Sequence, residues 1–256
     1  MRSVRAGLRV VRLLGVLALG VALASLVGLL ERIPGRDWMP LRQRLTRWFL
    51  ARLCAALPFE VRVHGELPNQ PMLWVANHVS WVDIPLLGAL APLTFLSKAE
   101  VRQWPVAGWL AEKAGTLFIR RGSGDARMVN AQLATQLSRG RSLLVFPEGT
   151  TTDGRDLRTF HGRLLASAID ADVPVQPVAL RYRRGDQPCE LAPFIGDDDL
   201  LSHLRRLFGN DRGTVEIHLL PALSSTHLDR TQLAQHARKA IHAVISDEQE
   251  EAAIAA

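Results

Sequence analysis

His78 and Asp83 stand five residues apart in the stretch Ala76-Asn77-His78-Val79-Ser80-Trp81-Val82-Asp83, and an imidazole beside a carboxylate is a base for an alcohol. The carboxylate accepts one ring N–H and fixes the tautomer, which leaves the other nitrogen free to take a proton from a hydroxyl. On an unbroken helix, five steps of about 100° would set the two side chains roughly 140° apart. The segment must therefore turn. Met72 to Ala76 is a short apolar run suited to a buried strand, and Pro85 suits the first turn of a helix, which leaves His78 and Asp83 on the connection between them. The plainer alternative is that Asp83 caps the following helix and His78 is an ordinary loop histidine.

The chain of 256 residues is long enough for one α/β domain with appendages. Its formal charge of +6 comes mostly from arginine and suits nucleic acid, a phosphorylated metabolite or an acidic membrane surface. Two cysteines, Cys54 and Cys189, offer neither a disulfide framework nor a zinc spacing. Nucleic acid is disfavoured, because the arginines sit beside apolar stretches and no recognition-helix or RNA-binding motif accompanies them.

Those stretches are N-terminal. Arg2, Arg5, Arg9 and Arg12 precede an uncharged run from Leu13 to Leu30, long enough for a membrane helix, and the run continues past the signal-peptide-like Ala22-Leu23-Ala24. Arginines follow it as closely as they precede it, so charge does not set its orientation. From Pro40 to Leu57, apolar residues recur at helical spacing with Trp48 and arginines between them, which suits a helix at the headgroup level or one packed on the domain. Residues 1–57 are thus expected to form a membrane-associated helical hairpin, and residues 58–256 the functional domain with a C-terminal helix.

Within that domain, strands are expected at Phe59–His64, Leu93–Leu96, Thr116–Ile119, Ser142–Phe146, Val173–Tyr182 and Thr214–Leu219. Helices are expected at Ile84–Leu90, Asp125–Leu137, Phe160–Ile169 and around Leu233, Ala237, Ile241 and Val244. The alternation gives an α/β class with a largely parallel sheet flanked by helices, whose strand ends gather the functional loops. Three further features fall at such ends. Lys98 could meet an anion. Arg120-Arg121-Gly122 places two guanidiniums where they could grip a phosphate. Glu148 and Gly149 sit in a tight turn followed by Thr150, Thr151 and Thr152, whose hydroxyl and N–H groups could line a phosphate site.

Four stretches, in order, resemble the glycerolipid (phospholipid/glycerol) acyltransferase family, which includes the 1-acylglycerol-3-phosphate acyltransferases. They are His78 through Asp83 as the HX4D block, Gly115 to Arg121, Phe146-Pro147-Glu148-Gly149-Thr150, and Val173 to Val178. The resemblance implies an O-acyltransferase without metal or cofactor. His78 would deprotonate a lysolipid hydroxyl, Asp83 would steady the imidazolium, and the oxygen would attack the thioester of acyl-CoA or acyl carrier protein. Arg121, assisted by Arg120, would bind acceptor phosphate, and Glu148, Gly149 and Thr150 would shape the acceptor site. The first expectation for the acceptor is 1-acylglycerol-3-phosphate, giving phosphatidate. Many phosphatidate-forming members carry Arg-Ser where Thr151-Thr152 stand here, and the Thr-Thr form resembles members acting on other lysolipids, including lyso-ornithine lipid. A cytosolic thioester places the domain on the cytoplasmic face of the inner membrane, so the hairpin would dip into one leaflet or span with its N-terminus outside. The rivals are a metal-dependent phosphoesterase, which lacks a second ligand cluster, and a non-catalytic membrane adaptor.

Overall fold

The structure, a computed structural model, describes residues 2–119 and 126–254. Its strands are β1 (Phe59–His64), β2 (Leu73–Ala76), β3 (Leu93–Lys98), β4 (Leu117–Ile119), β5 (Ser142–Val145), β6 (Val175–Arg184), β7 (Gln187–Pro188) and β8 (Gly213–Leu219). They form one sheet in the order β1-β8-β6-β2-β5-β3-β4, with β7 pairing β6. Pairings are parallel except β6 with β8 and β6 with β7. The sheet is therefore mixed but mostly parallel.

The helices are α1 (Arg2–Leu30), α2 (Met39–Ala56), α3 (Asp83–Leu90), α4 (Ala107–Lys113), α5 (Ala126–Ser138), α6 (Ala166–Asp170), α7 (Leu200–Gly209) and α8 (Arg230–Ile254). Strand residues alternate between two cores, as period-two side chains must. Trp74, Ala76, Leu144, Leu180 and Ile217 pack with α2, α3 and α7, whereas Leu73, Val75, Leu143, Val145 and Ala179 pack with α5, α6 and α8. Both faces of the central strands are covered, which is why β2 is apolar and buried throughout.

α1 is long and apolar enough to cross a membrane, yet it is tied to α7 near its start and to α2 at its end. Near its start, Arg9 donates to the carbonyls of Phe208 and Asn210 at the C-terminal end of α7, at 2.8 and 2.6 Å, and Arg5 pairs with Asp211. Cations suit that end of a helix, where carbonyls are unpaired and the dipole is negative. Just beyond its end, Glu31 pairs with Arg42 of α2, and midway the Phe49 ring fills the space a side chain at Gly20 would need. Val4, Leu8, Val11, Leu14, Leu26 and Leu29 remain exposed on its outer side.

The expected strands are present to within a few residues. The expected helix over Phe160–Ile169 is shorter, because its first half is a turn. His161 N–H donates to Pro147 O at 3.0 Å, and a Cβ at Gly162 would lie 2.6 Å from Arg230 O, so this segment is pinned between the β5 loop and α8. α7 lay outside the sequence reading, although Asp199 caps it through Leu201 N and Ser202 N, at 2.9 and 3.0 Å, a signal visible in the sequence.

Candidate active site

Register alone brings two of the expected residues together. β2 lies between β5 and β6, with Val75 level with Val145, so three residues further along each strand His78 meets Glu148. His78 N–H donates to Glu148 Oε1 at 2.9 Å, and Glu148 Oε2 accepts from Arg158 N at 2.9 Å. Gly149, at φ 72°, takes the left-handed conformation that lets the chain reverse beside this carboxylate. Burial raises the Glu148 carboxyl above its ordinary range, while the two N–H donors and the nearby His78 oppose that rise.

β2 leaves the sheet at Asn77, whose buried side chain takes over the ladder. Its Nδ2 donates to Leu180 O at 3.0 Å and its Oδ1 accepts from Leu180 N at 2.8 Å. The main chain is then free to turn, as the spacing of His78 and Asp83 demands. Asp83 is the first residue of α3 and is completely buried. Its carboxylate points back into the turn, where Oδ2 accepts from His78 Nδ1 at 2.8 Å, Val79 N at 2.8 Å and Ser80 N at 3.0 Å. Helix capping does not explain it, since it makes no side-chain bond into α3. With Nδ1–H given to Asp83, His78 keeps Nε2 as an acceptor for a hydroxyl proton. The ring stacks on Phe146 at 3.8 Å and 12°.

Thr152 N–H donates to His78 O at 2.8 Å, Thr151 Oγ1 donates to Phe194 O, and Phe194 N–H donates to Val79 O at 2.9 Å. These bonds lock the Glu148–Asp153 loop against the turn that carries the imidazole. Beyond them opens a polar cleft of about 690 Å³, lined by Lys98, Thr150 to Asp153, Asp156, Arg158 and Phe194. Arg120 and Arg121 lie outside the described residues. β4 ends at Ile119, level with Lys98, immediately before them.

A separate apolar cavity of about 260 Å³ is bounded by Leu17 and Leu23 of α1, Phe49 and Leu53 of α2, Trp81, Ile84 and Trp104. Trp81, inside the His-to-Asp turn, donates its indole N–H to His203 Nδ1 at 2.9 Å, and His203 Nε2–H donates to Ala192 O at 3.1 Å. Burial and Arg206 hold the His203 imidazole below its ordinary value, in keeping with the neutral tautomer those bonds require. His203 escaped the sequence reading with the rest of α7. Tyr182 escaped it too: it ends a run read only as a strand, yet its O–H donates to Asp83 Oδ1.

A half-buried imidazole paired with a completely buried carboxylate thus stands at the strand ends, with a polar cleft and an apolar cavity formed by neighbouring residues. A family model described as Acyltransferase matches residues 60–181. The chain is 70% identical to the lyso-ornithine lipid O-acyltransferase of Pseudomonas aeruginosa over 94% of this chain and 93% of that one. It is also 34% identical to the 1-acyl-sn-glycerol-3-phosphate acyltransferase of Neisseria gonorrhoeae, over 76% and 78% of the two chains. The chain belongs to the glycerolipid acyltransferase family. The crystal structure of the 1-acyl-sn-glycerophosphate acyltransferase from Thermotoga maritima shares its fold, with a TM-score of 0.72 at 21% identity over 97% of this chain and 98% of that one.

Proposed function

We propose that this chain is a lyso-ornithine lipid O-acyltransferase, moving a fatty acyl group from acyl-CoA or acyl carrier protein to the free hydroxyl of the lysolipid. The observation that carries this reading is the 70% identity, over nearly the full length of both chains, to the Pseudomonas aeruginosa enzyme. It supersedes lysophosphatidate as the first expectation for the acceptor.

The cleft supports the same choice. Thr151, at the position where many phosphatidate-forming members carry arginine, uses its hydroxyl on Phe194 O and brings no cation. The cleft carries both signs, with Lys98 and Arg158 against Asp153 and Asp156. An ornithine joined to lipid through one nitrogen keeps a carboxylate and an ammonium, which such a lining matches better than it matches a phosphomonoester dianion.

In the proposed reaction, His78 Nε2 takes the acceptor's hydroxyl proton as its oxygen attacks the thioester carbonyl. Asp83 holds the imidazolium through Nδ1. The tetrahedral adduct collapses, the C–S bond breaks, and the proton passes from His78 to the departing sulfur, giving an ester and a free thiol. The donor's acyl chain lies in the apolar cavity beside Trp81.

The decisive assay offers labelled acyl-CoA and acyl carrier protein to the detergent-solubilised protein with lyso-ornithine lipid, lysophosphatidate and lysophosphatidylcholine. The kcat/KM for lyso-ornithine lipid is expected to exceed that for lysophosphatidate by at least about ten-fold, as recognition of a polar headgroup allows. The reverse order would return the assignment to phosphatidate formation.

The attachment of α1 to α7 at its start and to α2 at its end, with Arg47 of α2 in turn donating to Ala89 O of α3, favours a hairpin dipping into one leaflet over a span. Its exposed apolar side would enter the lipid and the arginines of α2 would meet headgroups. Protease added to inverted inner-membrane vesicles should digest α8, whereas digestion in intact spheroplasts would refute the cytoplasmic placement.

A further inference from the structure

We propose that Tyr182 is a positioning residue for the His78–Asp83 pair, its O–H holding Asp83 Oδ1 so that Oδ2 stays directed at His78 Nδ1. The inference rests on the reading of His78 as the base.

Asp83 is completely buried, and its two oxygens are served unequally. Oδ2 receives His78 Nδ1 and the N–H groups of Val79 and Ser80, all from its own turn. Oδ1 receives Tyr182, which comes from a different element. A carboxylate's terminal torsion is broad and roughly two-fold, so bonds to one oxygen leave its rotation weakly defined. A donor fixed independently of the turn defines it. Tyr182 meets that requirement, because it sits on β6 level with Val215 of β8, its carbonyl accepts from Cys189 N at 2.8 Å, and its ring meets the Phe59 ring edge-on at 5.4 Å. The sheet thereby sets the angle of a carboxylate that belongs to a helix.

The phenol remains a donor throughout the working range. Burial and the adjacent Asp83 carry it well above the ordinary tyrosine value. Among the described residues, the other titratable groups around this pair are Glu148 from the loop after β5, Cys54 of α2 and Cys189 after β7. Burial pushes the Cys54 thiol up to about 11, so it stays neutral. None of these contacts depends on the Tyr182 hydroxyl, so a change on removing it reports on Asp83.

Tyr182→Phe keeps the ring and leaves Asp83 Oδ1 buried without its donor. The less stabilised carboxylate then attracts the imidazolium formed in turnover more strongly. The acid limb of kcat/KM is expected to move upward by up to about one pH unit, with kcat falling about ten-fold, as for loss of one hydrogen bond to a charged group. The KM for thioester and lysolipid should stay within about two-fold. Replacing Tyr182 by 3-fluorotyrosine, a stronger donor of the same shape, should move the limb the opposite way.

The experiment measures both pH profiles on the full-length, detergent-solubilised protein, with His78→Ala alongside. Opposite displacements for phenylalanine and fluorotyrosine establish the inference. A lower melting temperature with an unmoved limb would reduce Tyr182 to a core residue and overturn it. Turnover retained by His78→Ala would instead remove the base itself, a result that neither tyrosine variant can imitate.

Discussion

His78→Ala is expected to lower acyl transfer by at least about 100-fold while leaving the protein folded, the loss that follows removal of a general base. Among the described residues, no neighbouring group is placed to substitute. Asp83 is completely buried, and both Glu148 oxygens are engaged by backbone N–H groups. The fold should survive because the backbone of residue 78 keeps its bonds to Glu148 and Thr152. The loss is confined to the imidazole's bond to Asp83 and its stack on Phe146. Single-turnover acyl transfer, read beside a melting curve, separates the two effects. Near-normal turnover would eliminate His78 as the base, and a metal chelator that abolished wild-type activity would point to the phosphoesterase chemistry instead.

Glu148→Gln should reduce both stability and turnover, although it changes only one heavy atom of the side chain. The two carboxylate oxygens each accept one N–H, from His78 and from Arg158. A glutamine amide offers one acceptor and one donor, so it must set its NH2 against one of those N–H groups. A buried donor left without an acceptor costs about 1–3 kcal/mol. The His78 backbone is one of the two, so the disturbance reaches the imidazole directly, and a loss of turnover of about ten-fold or more is expected.

The variant should also differ in pH dependence. Burial raises the Glu148 carboxyl above its ordinary value of 4.5. A group whose folded pKa is raised contributes stability that is fully present below the unfolded value and lost as pH rises through the folded one. Wild-type stability should carry that component and Glu148→Gln should not. Chemical denaturation across the acid range tests both statements. Identical midpoints for the two proteins at neutral pH would show that the N–H groups find other acceptors and that Glu148 is not a brace.

Glu148 was expected to shape the acceptor site; its carboxylate accepts the backbone N–H groups of His78 and Arg158, whereas Thr150 and its neighbours line the cleft. The difference has a physical source. A sequence gives the residue types in a tight turn but not which way the turn faces, and that direction follows from the β2–β5 register. Lys98 likewise takes its place on the cleft because β3 ends there.

What the sequence determined by itself is local. Apolar runs of strand length, alternating with helical periodicity, set the α/β class and nearly every strand. The five-residue spacing excluded a straight helix and required a turn between His78 and Asp83, and the ordered blocks pointed to the family. The uncharged run from Leu13 to Leu30 announced α1, but its attachment to α7 through Arg9 required the tertiary structure, because nothing local links residue 9 to residues 208 and 210.

The same holds at the centre of the site. Tyr182 sits in a stretch whose pattern reads only as a strand, and it touches Asp83 only because β6 lies beside β2 and extends past its end. Contacts between residues about one hundred positions apart are created by strand order, which no periodicity encodes. Residue types and local spacing selected the chemistry, and the order of strands in the sheet decided which side chains surround it.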